Sequence, residues 1–172
     1  LMAAETAYAA GEQVRAKALV EGVLSGPAPL DPDTRIVANS ILVLISYQTG
    51  KKEDAERWLR NSQSLITSGT SGEASAYFHF SSGIYEYFYG DVRKASASFE
   101  NAVRLTAGSE EGLIPTRSLF YLGNSQLRLG NTLLAMDRMQ EALARSQRMG
   151  YERGIALSNR EIGYIHFHLG EL

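Results

Sequence analysis

The sequence predicts an all-α chain built as a solenoid of stacked antiparallel helix pairs. Three observations carry that reading. Glycine recurs at Gly50, Gly90, Gly130 and Gly170, a period of about forty residues. Alanine follows five residues after the first three of these, at Ala55, Ala95 and Ala135. Between the marks the apolar residues fall at helical spacing, and alternation of the strand type is absent. Each unit therefore reads as helix A, a glycine turn, and helix B. A single helix pair cannot cover its own apolar face, so the core must come from stacking one pair on the next.

Taken in order, residues 2–10 read as a short helix A, Gly11 as its turn, and residues 12–24 as a helix B with Ala16, Val20 and Val23 on one face. Gly11 is one residue off the register of the later turns. Pro27, Pro29 and Pro32 then exclude a continuous helix and mark a loop. Helix A of the next unit is expected from Asp33, as N-cap, to residue 49. Its helix B covers residues 52–66, with Ala55, Trp58, Leu59 and Leu65 turned inward. A connector of small polar residues, 68–72, leads into a helix A over 73–89. Asp91 caps a helix B over 92–106. Residues 108–115 form a further connector, with Glu110 to Ile114 able to open the next helix. That unit has helix A to residue 129 and helix B from 131 or 132 to 149, with Gly150 as its C′ residue. A last helix A over 151–169 ends at Gly170. The units are about 1–30, 36–75, 76–115, 116–155 and a partial 156–172, in one repeat domain.

Small residues in register locate the closest helix approaches. Gly83, Gly123 and Gly163 share one position of helix A, and a glycine inside a helix costs about 1 kcal/mol relative to alanine. Repetition of that cost predicts that a partner helix needs the space. Ala55, Ala95, Ala135, Ala102 and Ala142 play the same part on helix B, while Leu59, Phe99 and Met139 are expected to fill the gaps between units.

With Ile36, Ala76, Thr116 and Ala156 opening the units, the chain resembles tetratricopeptide repeats. In the Thr116 unit, Leu122 and Gly123 match the Leu-Gly pair, Gly130 the turn, and Ala135, Met139 and Ala142 the small-large-small face of helix B. The Ala76 unit matches at Gly83, Gly90, Ala95, Phe99 and Ala102; the Ile36 unit has Val43 and Ser62 instead of glycine and alanine. The period exceeds the family's usual ~34 residues, and the proline that often closes helix B is absent. Longer repeats of this kind are similar to the sensor domains of maltose-regulator-like bacterial transcription activators, to peptide-pheromone receptors and to repeat regions ahead of signalling enzymes. The resemblance implies a right-handed superhelix whose A helices line a concave, ligand-binding face. It also implies a cytoplasmic, bacterial setting in which another domain delivers the output.

On that resemblance the residues facing a ligand are Tyr47, Tyr77, Phe80, Tyr87, Arg117, Phe120, Asn124, Arg128, Arg160 and Tyr164, accompanied by Gln48, Ile84, Phe88, Leu127, Phe167 and His168. Aromatics beside Arg and Asn suit a peptide, or an aromatic or anionic small effector. The competing structural reading is that several of these rings pack between adjacent A helices, Phe88 and Phe167 above all. The clamp that some family members use on chaperone tails wants Lys and Asn four residues apart on helix A. Only Asn124 fits it, so that ligand is rejected.

Composition removes other classes. Cysteine is absent, which excludes disulfides, thiolate metal sites and cysteine nucleophiles. A net charge of −2 gives no general attraction to nucleic acid or an anionic membrane. No apolar run approaches the ~20 residues that span a bilayer. His166 and His168 lie two apart on a helix and cannot share a metal. His79 reads as a partly buried histidine, and Glu110-Glu111 and residues 51–54 as solvated helix starts. No nucleotide-loop, nucleophile-elbow or zinc-protease motif occurs, so neither catalysis nor a cofactor or metal is expected. The chain opens at Leu1 and stops at Leu172 just past a turn glycine, so a piece of a longer protein is expected. The function expected is a regulatory or protein-interaction module taking a peptide, a partner protein or a small effector. The alternative is a self-association module that forms a homodimer.

Overall fold

A computed structural model describes residues 1–108 and 112–170. Among them are nine α-helices and no strands: α1 (Met2–Ala9), α2 (Gln13–Leu24), α3 (Pro32–Gln48), α4 (Lys52–Gln63), α5 (Gly72–Tyr89), α6 (Val92–Leu105), α7 (Leu113–Arg128), α8 (Thr132–Arg148) and α9 (Glu152–Leu169). Each helix packs on the next in sequence. The odd-numbered helices also pack on one another, α1 on α3, α3 on α5, α5 on α7 and α7 on α9, whereas the even-numbered helices do not meet among the described residues. A layer whose members touch has the smaller radius of curvature. The odd helices therefore form the inner wall of an α-solenoid of helix pairs, and the even helices the outer wall.

The turns follow glycine chemistry with one exception. Gly11, Gly50, Gly130 and Gly150 all have positive φ, between 64° and 83°. That left-handed conformation disfavours any side chain. Gly90 was expected to match them and does not: its φ is −132°. The Asp91 carboxylate accepts from the Arg93 amide, and the Asp91 amide donates to Glu86 Oε2 at 3.0 Å, so side chains satisfy the backbone there. The start of α3 also differs from expectation. Asp31, not Asp33, is the N-cap and accepts from the Thr34 amide at 2.9 Å, because Pro32 is well suited to the first helical position. The Thr34 hydroxyl, then the Thr34 amide, hold the Asp31 carboxyl below its usual range. Asp33 instead accepts from the Ser71 amide, tying α3 to the cap of α5. Glu110 and Glu111 lie outside the described residues.

The core runs along the line where inner and outer helices meet. Ala55, Ala95, Ala102, Ala135 and Ala142 are all fully buried, as their register requires. A Cβ on Gly83 would sit 2.6 Å from Phe99 Cε1, and one on Gly123 would sit 3.0 Å from Met139 Cε and 3.2 Å from the Ala135 carbonyl oxygen. Phe99 and Met139 fill the notch left by the glycine of their own unit. As expected, they also reach the next unit, Phe99 against Tyr121 and Met139 in one cluster with Ile165. Leu59 packs against the cluster of Ile36, Ala74 and Phe78, which joins its own unit to α5 of the next pair. Gly163 departs from its counterparts, being exposed with nothing within 4 Å of a Cβ.

Candidate functional site on the inner wall

The curvature brings the first pair onto the fourth. Tyr8 in α1 and Arg117 in α7, 109 residues apart, meet directly: Arg117 Nη2 donates to Tyr8 Oη at 3.2 Å. The Arg117 guanidinium also lies 5.0 Å from the Tyr8 ring centroid and 5.0 Å from that of Phe80. Burial works against the charge, but the surrounding phenols, Tyr8 first and Tyr121 next, hold its pKa above the ordinary value. No carboxylate among the described residues forms an ion pair with Arg117. Elsewhere arginines such as Arg57, Arg60 and Arg145 pair with an acid three or four residues away on their own helix.

Around Arg117 the inner wall is aromatic. Tyr121 is the hub, in contact with the rings of Phe80, Tyr87, Phe88, Phe99 and Phe120 at centroid distances of 5.3–6.3 Å. Tyr47 stacks on Phe88 at 4.2 Å, joining α3 to α5. Arg128 lies 4.6 Å from the Tyr87 ring centroid and donates to the Tyr87 carbonyl oxygen at 2.9 Å, joining α7 to α5. Tyr77 donates to the Glu5 carboxylate, joining α5 to α1. Burial, then that bond, push the Tyr77 phenol well up; burial pushes Tyr47 well up too and raises Tyr121.

The ten residues expected to face a ligand separate into groups. Tyr47, Tyr77, Tyr87, Arg117 and Arg128 come together as half-buried or exposed side chains on the inner wall. Phe80 does not face a ligand: it is fully buried, because Tyr121 and Arg117 close over it, and it serves as the floor under the guanidinium. Ile84 is buried likewise. Phe120 is half-buried against Tyr121 and the cluster around Met139. Asn124 turns back to donate to the Phe120 carbonyl oxygen. Arg160 pairs with its neighbour Glu161, and Tyr164 lies against His168; neither joins the Arg117 cluster. Phe88, 43% exposed, does pack between inner helices, on Tyr47 of α3 and Tyr121 of α7, whereas Phe167 is 68% exposed.

A pocket of about 80 Å³ opens beside Arg117, walled by Tyr8, Tyr47, Phe120 and Tyr121 on one side and by the first turns of α9 on the other. Sequence reasoning missed Tyr8, Tyr121, Arg153 and Ser158 at this place. Tyr8 belongs to the off-register first unit, Arg153 precedes the positions that the repeat assigns to the groove, and Tyr121 and Ser158 fall between those positions. Among the described residues no three metal-ligating side chains converge, and no helix is long and apolar enough to cross a membrane.

Comparison with known proteins finds no matching family model and no matching curated protein. Among solved structures the chain is similar to a signal transduction ATPase with numerous domains (STAND) protein with a tetratricopeptide repeat sensor from Pyrococcus horikoshii. The TM-score is 0.74 at 20% identity, over 98% of this chain and 26% of that one. The likeness supports the tetratricopeptide-type α-solenoid, and the chain spans about a quarter of the length of that relative.

Proposed function

We propose that this chain is a sensing or protein-interaction module that captures a peptide, a partner segment or a small effector on its inner wall. The observation that carries the reading is the joining of three inner helices by Tyr47, Tyr87, Arg117 and Arg128. These side chains bridge helices of different units, so a ligand that engages them biases the curvature of the whole array. The consequence would pass to an output domain outside this chain. Transcriptional regulation of the maltose-regulator type, in a bacterial cytoplasm, is one such arrangement; the tetratricopeptide repeat sensor of the structural neighbour supports the sensing role. The test is to select ligands from a displayed random-peptide library and a metabolite panel, then titrate Tyr87→Ala and Arg128→Ala. Each substitution is expected to weaken a stoichiometric ligand by about tenfold, since desolvated aromatic and arginine contacts dominate such surfaces. Unchanged affinity in both variants overturns the inner-wall reading.

The apolar face of α9 favours a second reading, self-association. Tyr164 and Phe167, three residues apart on one face of this helix, are 50% and 68% exposed. If that face pairs two copies, sedimentation velocity across a wide concentration range shows a dimer that Phe167→Glu abolishes. A concentration-independent monomer excludes it.

A further inference from the structure

We infer that the pocket beside Arg117 is a subsite for an oxyanion, the carboxylate or phosphate of the ligand captured on the inner wall. The inference rests on the inner-wall reading and gives it a chemical class. Its lining carries two arginines, Arg117 and Arg153, and no acidic residue. Arg117 forms no ion pair among the described residues and is set between two aromatic faces. Glu5, which lines a neighbouring cavity with Arg117, accepts from the Tyr77 hydroxyl. Its one hydrogen-bond partner among the described residues is the Tyr8 hydroxyl, so most guanidinium donors remain available. An unpaired charge in a low-dielectric setting is costly, and an incoming anion relieves that cost.

Two further groups point the same way. The N-terminus of α9 borders the pocket through Tyr151, Arg153 and Gly154, and its N-cap residue, Tyr151, supplies no side-chain cap. The Glu152 amide donates to the Gly150 carbonyl oxygen at 3.1 Å, and Glu152 is the one acid of this turn. The following amides, of Arg153 and Gly154, have no side-chain cap, and with the helix dipole they favour an anion. Gly154 is buried, and a Cβ there would meet the Ser146 hydroxyl and the Tyr151 ring, so glycine lets this helix end approach closely. One turn further on, the Ser158 hydroxyl lines the pocket, is 1% exposed and has no hydrogen-bond partner. A buried hydroxyl left unpaired is destabilising, and an oxyanion is the acceptor that it lacks. Ser118 holds the equivalent place in α7 and is also unpartnered, but it does not line this pocket.

Size sets the limit on what enters. About 80 Å³ is room for an oxyanion group and not for a whole effector, which needs several times more. The rest of the ligand would extend beyond the pocket along the inner wall. Because Arg117 also holds Tyr8, an anion here acts on the contact between the first and fourth pairs.

The probes are sodium phosphate and sodium acetate, each titrated against sodium chloride at constant ionic strength, with the Arg153 and Gly154 amide resonances as readout. Saturable millimolar binding of at least one anion is expected, and the preferred one identifies the group. Arg153→Gln is expected to weaken it about threefold, as befits an exposed charge, and Ser158→Ala about fivefold. Arg117→Gln is expected to weaken it tenfold or more. Should Arg117→Gln fail to fold, the other two variants decide. No saturable shift with either anion overturns the subsite, as does binding that ignores both Arg153→Gln and Ser158→Ala. If selected ligands still depend on Tyr87 and Arg128 in that event, the inner-wall reading stands and the oxyanion subsite alone falls.

Discussion

Phe99→Ala is expected to destabilise the chain by about 3–5 kcal/mol, the usual cost of deleting a fully buried ring. Phe99 has no exposed surface, stacks on Tyr121 at 5.5 Å with 19° between the planes, and lies 6.0 Å from Phe80. It is thus a contact of outer helix α6 with two inner helices at once. For a chain of this size the loss corresponds to a fall in thermal midpoint of roughly 6–20 °C. Circular dichroism at the helical band reads it directly. A midpoint within about 2 °C of the parent's would refute the placement of Phe99 at the centre of the core.

The same ring gives a sharper test through Gly83. A methyl group on Gly83 would lie 2.6 Å from Cε1, 2.7 Å from Cδ1 and 2.9 Å from Cζ of Phe99. Phe80 and Tyr121 prevent the ring from withdrawing, so Gly83→Ala alone is expected to cost about 1–3 kcal/mol. In the Phe99→Ala background that obstruction is gone. Alanine is then the better helix former by about 1 kcal/mol, and the sign of the Gly83 substitution reverses. The double-mutant cycle should give a coupling of about 1–3 kcal/mol, and additivity within ~0.5 kcal/mol would show that the two residues do not meet.

What the sequence reveals here is the hairpin and its local chemistry; what it conceals is the curvature. Gly50 and Gly130 are readable as left-handed turns because a single residue's φ decides the turn. Gly90 misleads because its neighbours Glu86 and Asp91 satisfy the same backbone groups by other means. Phe80 occupies a repeat position that generally faces the groove, yet whether it is open depends on how tightly the inner helices close. Tyr121 and Arg117 close over it, and no local pattern encodes that. The contact of Tyr8 with Arg117 depends on small rotations summed over three helix pairs, which is why the off-register first unit yielded no candidate. Tyr77, Tyr87, Arg117 and Arg128 were legible as inner-wall residues because the resemblance to tetratricopeptide repeats assigns their repeat positions to that face. Their partners were not.

Gly123→Leu is expected to destabilise by about 1–3 kcal/mol or more, because it forces a side chain into a filled notch. A Cβ there already falls 3.0 Å from Met139 Cε and 3.2 Å from the Ala135 carbonyl oxygen. The thioether can bend away, but the carbonyl belongs to α8 and cannot move without the helix. The extra leucine carbons have nowhere to go, since Met139 and Ala135 are both fully buried. Gly163 holds the same repeat position on α9, where nothing lies within 4 Å. Leucine there should instead raise stability by up to about 1 kcal/mol, the difference in helix propensity. One substitution at two equivalent positions therefore has opposite expected signs, and only packing distinguishes them. Thermal midpoints should rank Gly163→Leu above the parent and Gly123→Leu below it. A Gly123→Leu midpoint equal to the parent's would mean that α7 and α8 do not meet at this glycine, and the register of the whole array would fall with it.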